Sequence, residues 1–154
     1  MFKKLTNFTF GGSSAIITNI SLIVGMGSAI SKPAIIGSLL IIAIADNISD
    51  SLGIHIYRES EYSGIQEPLM AAAGNFVARF IVSLSFIGIM LAFSINKAEI
   101  ISAVWGLFLL AAISYLISRR NNNKPFPEVA KHIVVAVIVI SASKYAGYLI
   151  SRGF

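Results

Sequence analysis

Apolar residues run through this chain in five long windows, about 12–30, 34–57, 69–95, 100–117 and 129–150, each parted from the next by a short polar or proline-marked break. A helix needs about 20 mostly apolar residues to cross the hydrocarbon core of a bilayer, because each residue advances it by about 1.5 Å. The pattern therefore predicts an all-α, polytopic membrane protein with five transmembrane helices and no soluble domain, residues 1–154 forming a single transmembrane domain. Ser31, Lys32 and Pro33 read as a tight turn, residues 58–68 as a polar loop and residues 96–99 as another turn. Residues 118–128 form a basic loop with a clear break at Asn121 to Pro125. Pro33 and Pro68 fall near helix starts, where a missing N–H costs least.

Composition agrees with the pattern. The chain is 56% hydrophobic and 12% charged, and its mean hydropathy is +0.81, too apolar for an ordinary soluble domain. With no cysteine and four methionines, a metal site must draw on oxygen or nitrogen ligands or on thioethers. The net charge of +5 is spread over loop ends and does not cluster with aromatics on one face. It argues for membrane orientation and against a nucleic-acid partner. Lys3, Lys4, Arg58, Arg119, Arg120, Lys124 and Lys131 lie on one side, against Lys32, Lys97 and Arg152 on the other. The expected N-terminus is cytoplasmic and the C-terminus outside. Lys3 and Lys4 precede an apolar stretch in the manner of a secretory signal, but that stretch is long enough to read as an uncleaved first span. The expected setting is a prokaryotic cell membrane. An odd number of spans without an internal repeat makes a homodimer a natural way to complete a transport path.

One insert breaks the second window. From Ala45 to Gly53 the chain places Asp46, Asn47, Ser49 and Asp50 where hydrocarbon is expected. An ionised carboxylate at such depth is costly unless it meets a partner, water or a cation. On a 3.6-residue repeat, Ser49, Asp50, Gly53 and Tyr57 lie within about 60° of Asp46, and Ile41, Ile44, Ile48 and Leu52 lie opposite, facing lipid. His55 falls on that back face, beside Glu59, and is not placed with the aspartates. The third window carries Asn75 and Arg79 one turn apart, after Ala71 to Gly74. Asp46, Asp50, Asn75 and Arg79 share a depth of roughly 9 to 18 Å from the cytoplasmic end, so an ion pair from Arg79 to either aspartate is geometrically reasonable.

The remaining windows carry weaker signals. Ser14, Thr18, Ser21, Gly25 and Ser28 form a stripe of small residues in the first, which reads as a packing seam ahead of a pore lining. Asn19 projects from another face. The fourth, with Trp105, Phe108 and Tyr115, reads as lipid-facing scaffold. The fifth presents Ser141, Lys144 and Tyr148 together, and Lys144 either snorkels outward or pairs with an aspartate of the second helix. No nucleophile and base arrangement, phosphate-cradling loop or histidine pair at metal-ligand spacing is present, so the chain is not read as an enzyme.

The first two windows, from Phe10-Gly11-Gly12 through Ile17-Thr18-Asn19-Ile20 and Ile23-Val24-Gly25 to the Ala45 to Gly53 stretch, resemble the vacuolar iron transporter family. The resemblance covers roughly the first third of the chain. It implies five spanning helices, a cytoplasmic N-terminus and a dimer whose first helices line a path for divalent iron or manganese. The chain departs from the family pattern in having Ser14 where an aspartate is expected, Asp50 where a methionine is expected and Ile54 where a glutamate is expected. A carboxylate in place of a thioether shifts preference toward oxygen-loving ions such as manganese or magnesium.

The expectation is thus a carrier of a divalent cation, Fe2+ or Mn2+, with proton coupling. Asp46 and Asp50 bind the cation or proton, and Asn47, Ser49, Asn19 and Ser14 serve as auxiliary oxygen ligands. Glu59, Glu61 and Glu67 attract cations at the cytoplasmic entrance, and Arg79, Asn75 and Lys144 take part in ion pairing or coupling. Two alternatives stand beside it: a non-transporting scaffold held by an Asp/Arg/Lys network, and a carrier of another solute in which Arg79 or Lys144 meets an anion. Arg79 bonded to both aspartates favours the scaffold, and an open carboxylate cluster at a dimer axis favours cation transport.

Overall fold

The computed structural model describes residues 2–27, 29–61 and 66–153, and side chains from residue 11 onward. Among them every regular element is helical: α1 (Phe2–Met26), α2 (Lys32–Ile41), a π-helical segment (Ile42–Asp46), α3 (Asn47–Glu61), α4 (Gln66–Ala92), α5 (Ile95–Arg120) and α6 (Pro125–Gly153). The elements α2, π segment and α3 run on without a break as one rod, Lys32–Glu61. The five apolar windows thus correspond to five helical rods. Four of these, Lys32–Glu61, Gln66–Ala92, Ile95–Arg120 and Pro125–Gly153, are long and apolar enough to cross a bilayer, whereas the apolar part described in α1, Gly11–Met26, is shorter. Ser28 and the side chains of Lys3, Lys4 and Phe10 fall outside what is described.

Two boundaries differ from expectation: the tight turn read at Ser31, Lys32 and Pro33 ends at Ser31, since α2 already begins at Lys32, and the turn read at residues 96–99 lies earlier. Residues 96–99 are not a turn: the break falls at Phe93 and Ser94, and α5 already begins at Ile95. Polarity misled here because Lys97 and Glu99 occupy the first turns of a helix, where charged side chains are readily accommodated. The Asn121 to Asn123 break is present and is chemically defined. Asn122 takes φ 55°, and the Asn123 and Asn122 N–H groups return to the carbonyls of Ser118 and Arg119 at 3.0 and 3.4 Å, closing α5 as a Schellman cap. Lys32 serves another end, donating to the carbonyl of Phe93 at 2.8 Å just beyond α4, where the helix dipole favours a cation.

Helix α1 is the central post. Ile16, Ile20, Ile23 and Val24 are buried against Ile35, Leu39, Phe86, Met90 and Leu110 in one apolar core. Helix α4 packs between α1 and α3, while α6 packs on α1 and α5. Two glycines set the spacing. A Cβ on Gly147 would lie 1.7 Å from the Gly25 carbonyl oxygen, so α1 and α6 cross backbone to backbone, and one on Gly106 would lie 2.0 Å from Ile20 Cδ1. Small residues allow such close approach between membrane helices, where dispersion and Cα–H···O contacts replace the hydrophobic drive. Ile41, Ile44, Ile48, Leu52 and Ile56 are exposed along one side of the second rod, as expected of a lipid-facing stripe.

Candidate functional site

Buried positions recur every fourth residue along the second rod, at Ile35, Leu39, Ala43, Asn47 and Ser51. In an unbroken α-helix a four-residue step overshoots a full turn by about 40°, so four steps would carry this stripe roughly 160° around the rod. The wider turn of the π segment absorbs about one residue, or about 100°, of that drift. The apolar face of α2 and the polar face of α3 consequently both meet α4.

Asn47 stands at the end of that segment and is completely buried. Its backbone N–H bonds to the carbonyls of Ile42 and Ile44, passing over the usual i−4 partner, Ala43. Its side-chain Nδ2 donates to the Ala43 carbonyl instead, at 2.8 Å. The other half of the amide, Oδ1, accepts a hydrogen bond from Arg79 Nε at 2.8 Å. One side chain therefore caps the backbone irregularity and holds the buried cation.

Arg79 is 1% exposed. Its Nη2 donates to Asp46 Oδ2, and its Nη1 forms an ion pair with Asp50 Oδ2 at 2.5 Å without hydrogen-bond alignment. Both aspartates thus reach the same guanidinium, the arrangement expected of a structural network, yet their side chains remain 43% and 40% exposed. Two carboxylates against one guanidinium leave a formal charge of −1 on an open flank of α3. Charge-assisted bonds of this kind contribute about 1.5–3 kcal/mol each when well made.

Neighbouring polar groups extend the cluster along α4. Asn75 Nδ2 donates to Ser51 Oγ at 3.2 Å, and Asn75 Oδ1 sits where a Cβ on Gly11 would come within 2.1 Å. Farther along, Asn19 Nδ2 donates to Ser83 Oγ at 3.0 Å and to the Ala15 carbonyl at 2.7 Å. Asn75, Arg79 and Ser83 are all buried and, at four-residue intervals, form one polar row, with Asn75 and Arg79 bonded to the second rod and Ser83 to α1.

The other expected site residues do not converge here. Ser49 is exposed, because the inner face of α3 is centred on Asn47 and Ser51 and not on Asp46. The same shift corrects His55, which is half-buried, with Nδ1 shielded from solvent, and not on the lipid face. Ser14 is half-buried on α1 and is not among the described groups that contact Arg79 or the aspartates. Asn19 belongs to the α1–α4 seam. Glu59 and Glu67 are exposed, while Glu61 accepts from Tyr57 Oη at 2.7 Å and pairs with Arg58 at 3.1 Å. Lys144 does not pair with an aspartate of the second rod. It pairs with Glu99 of α5, whose carboxylate lies against Gly27 at the end of α1.

Sequence reasoning passed over Ser51 and Glu99. Ser51 was detectable as the i+4 partner of Asn47 on one helix face. Glu99 carried no such signal, since only the packing of α5 on α6 brings it to Lys144. At the other end of the same pair of helices, Ser114 Oγ donates to the Leu110 carbonyl at 2.7 Å and meets His132 Nδ1 at 2.7 Å.

Among the described residues no group of three or more His, Asp or Glu side chains is placed to hold a metal ion. At the guanidinium the oxygens are those of the two aspartates and Asn47 Oδ1, which already accepts from Arg79 Nε, while Asn75 Oδ1 along α4 has no hydrogen-bond partner among the described residues. No protein-family model matches the chain, and neither a curated protein nor a solved structure shows a match to it.

Proposed function

We propose that the protein is a small membrane carrier that binds a divalent cation of the iron or manganese class at Asp46 and Asp50, with protons as the coupled ion. The single observation behind this reading is the pair of carboxylates at mid-rod, two-fifths exposed and carrying one unneutralised charge beside Arg79. In a bilayer that charge calls for water, a cation or a partner surface. Arg79 then acts as the resident counter-ion that an incoming cation displaces from the carboxylates. In this reading α1 is the fifth span, the N-terminus is cytoplasmic, and a homodimer in a prokaryotic cell membrane covers the open flank. The likeness of the first two helices to vacuolar iron transporters supports the same class of cargo.

Proteoliposome uptake tests the reading together with thermal shifts in Mn2+, Fe2+ and Mg2+. The expected result is a rise in melting temperature with at least one ion and uptake that the Asp46→Asn, Asp50→Asn protein loses. No shift with any ion, together with equal uptake by the two proteins, removes the assignment.

A second reading has its own observation in support: Arg79 is bound by three side chains of one rod, Asp46, Asn47 and Asp50. In that reading the cluster is a clamp that fixes the second rod on α4 and carries nothing. Absence of any metal response in the wild type, combined with a loss of about 3 kcal/mol in Arg79→Gln, would select it.

A further inference from the structure

A π segment is rare because its wide turn loses regular i→i−4 bonding, so one that persists is held by its surroundings. Here the surroundings are identifiable. All three side chains that bind Arg79 sit at the end of the segment or just beyond it, and Asn47 also closes the bypassed Ala43 carbonyl. We propose that the segment Ile42–Asp46 is a rotary hinge, kept in the π form by the contacts to Arg79, and that loss of the two aspartate charges lets it relax to α-helix and turn α3 against α4.

Helical geometry sets the size and sense of the movement. Returning one residue to the α repeat turns everything beyond it by about 100° and advances it by about 1.5 Å. With Asn47 as the zero of angle, Asp50 lies at about −60° and Gly53 at about −120° on the 3.6-residue repeat. The turn therefore brings Gly53 and Asp50 round toward α4 and carries Asn47 and Ser51 off it. Gly53 has no atom within 4 Å of where its Cβ would be, and a residue without a side chain suits a face that must come close to a neighbour. The two halves of the rod are anchored by different means, apolar core packing for α2 and polar contacts to α4 for α3. Helix α2 has Ile35 and Leu39 in the apolar core and Lys32 on the Phe93 carbonyl, whereas the buried residues of α3 are the polar Asn47 and Ser51. The moving half is α3, and the aspartates pass between an open flank and the α3–α4 seam.

The absence of native cysteine permits spin-label distances on the full chain in lipid nanodiscs. One pair, Ile56→Cys with Ile81→Cys, reports α3 against α4. A second, Leu40→Cys with Leu69→Cys, reports α2 against α4. All four positions are exposed. In the Asp46→Asn, Asp50→Asn background the first pair should gain a population displaced by roughly 8 Å, the chord of such a turn on a helix of about 11 Å diameter, while the second stays put. Deleting Ala45 removes the extra residue and should abolish the displaced population. Where the double variant does not fold, Asn47→Ala cuts the Ala43 and Arg79 Nε bonds alone and should give a smaller displaced population. An unchanged first pair in a folded variant, or a displacement that survives the Ala45 deletion, overturns the hinge. The readout is a distance, so its failure is separate from any failure of transport.

Discussion

Gly11 on α1 and Asn75 on α4 touch so closely that a methyl group on Gly11 would fall 2.1 Å from Asn75 Oδ1. The same methyl would lie 3.2 Å from Arg79 Cγ, so this glycine is the lid over the polar row. Asn75 cannot retreat without releasing Ser51 Oγ. Gly11→Ala is expected to destabilise the detergent-solubilised protein by about 1–3 kcal/mol, the usual cost of overpacking a filled interior. Gly53→Ala, in open space, should go the other way by up to about 1 kcal/mol through helix propensity. Thermal melts of the two variants side by side check both signs.

Arg79 and the two aspartates should behave as one unit. Arg79→Gln leaves two carboxylates facing each other, and the expected loss is about 3 kcal/mol, the low end for a broken buried pair because the carboxylates are partly solvated. Asp50→Asn alone should cost about 1–2 kcal/mol, since Asp46 and Asn47 still hold the guanidinium. Once both aspartates are neutral, removing Arg79 should cost much less than in the wild type. A double-mutant cycle read by reversible unfolding in micelles measures the coupling, and strict additivity would show that the three groups do not act together.

At the crossing of α1 and α6 the obstacle is backbone and not a flexible side-chain end. A Cβ on Gly147 meets the Gly25 carbonyl oxygen at 1.7 Å and its carbon at 2.7 Å. Gly147→Ala should therefore force the helices apart and cost at least as much as Gly11→Ala, about 2–3 kcal/mol. Cross-linking between cysteines placed at the ends of α1 and α6 should slow in the variant, and an unaltered rate would argue against a tight crossing.

Asn122 supplies the left-handed residue that ends α5. Asn122→Gly should be neutral or stabilising by a few tenths of a kcal/mol, whereas Asn122→Ala should cost about 1 kcal/mol, because a Cβ is penalised in that conformation and glycine is not. Melting temperatures of the pair test it, and equal values would place the turn in another conformation.

Much of the polar site could be read before any coordinates. The depth match that placed Arg79 beside Asp46 and Asp50 rests on helix rise and on the adjacency of consecutive antiparallel helices, and both ion pairs are present. The facing of individual residues was harder. A helical wheel centred on Asp46 misplaces Ser49 and His55, because the wheel gives only relative angles and the inward direction lies at Asn47. Residues such as Glu99 and Lys144, 45 positions apart, have no local pattern that joins them.

The sequence by itself determined where the apolar rods lie, which stretch breaks them and which charges share a depth. Those properties follow from hydropathy and from a rise per residue that hardly varies. Only the tertiary structure decided that a π segment precedes Asn47, that Asn47 and not Asp46 points at α4, and that glycines let α1 approach Asn75 and α6. The reason is physical. A single extra residue in a helical turn turns everything after it by about 100°, and its persistence depends on a guanidinium from another helix that no local pattern can supply.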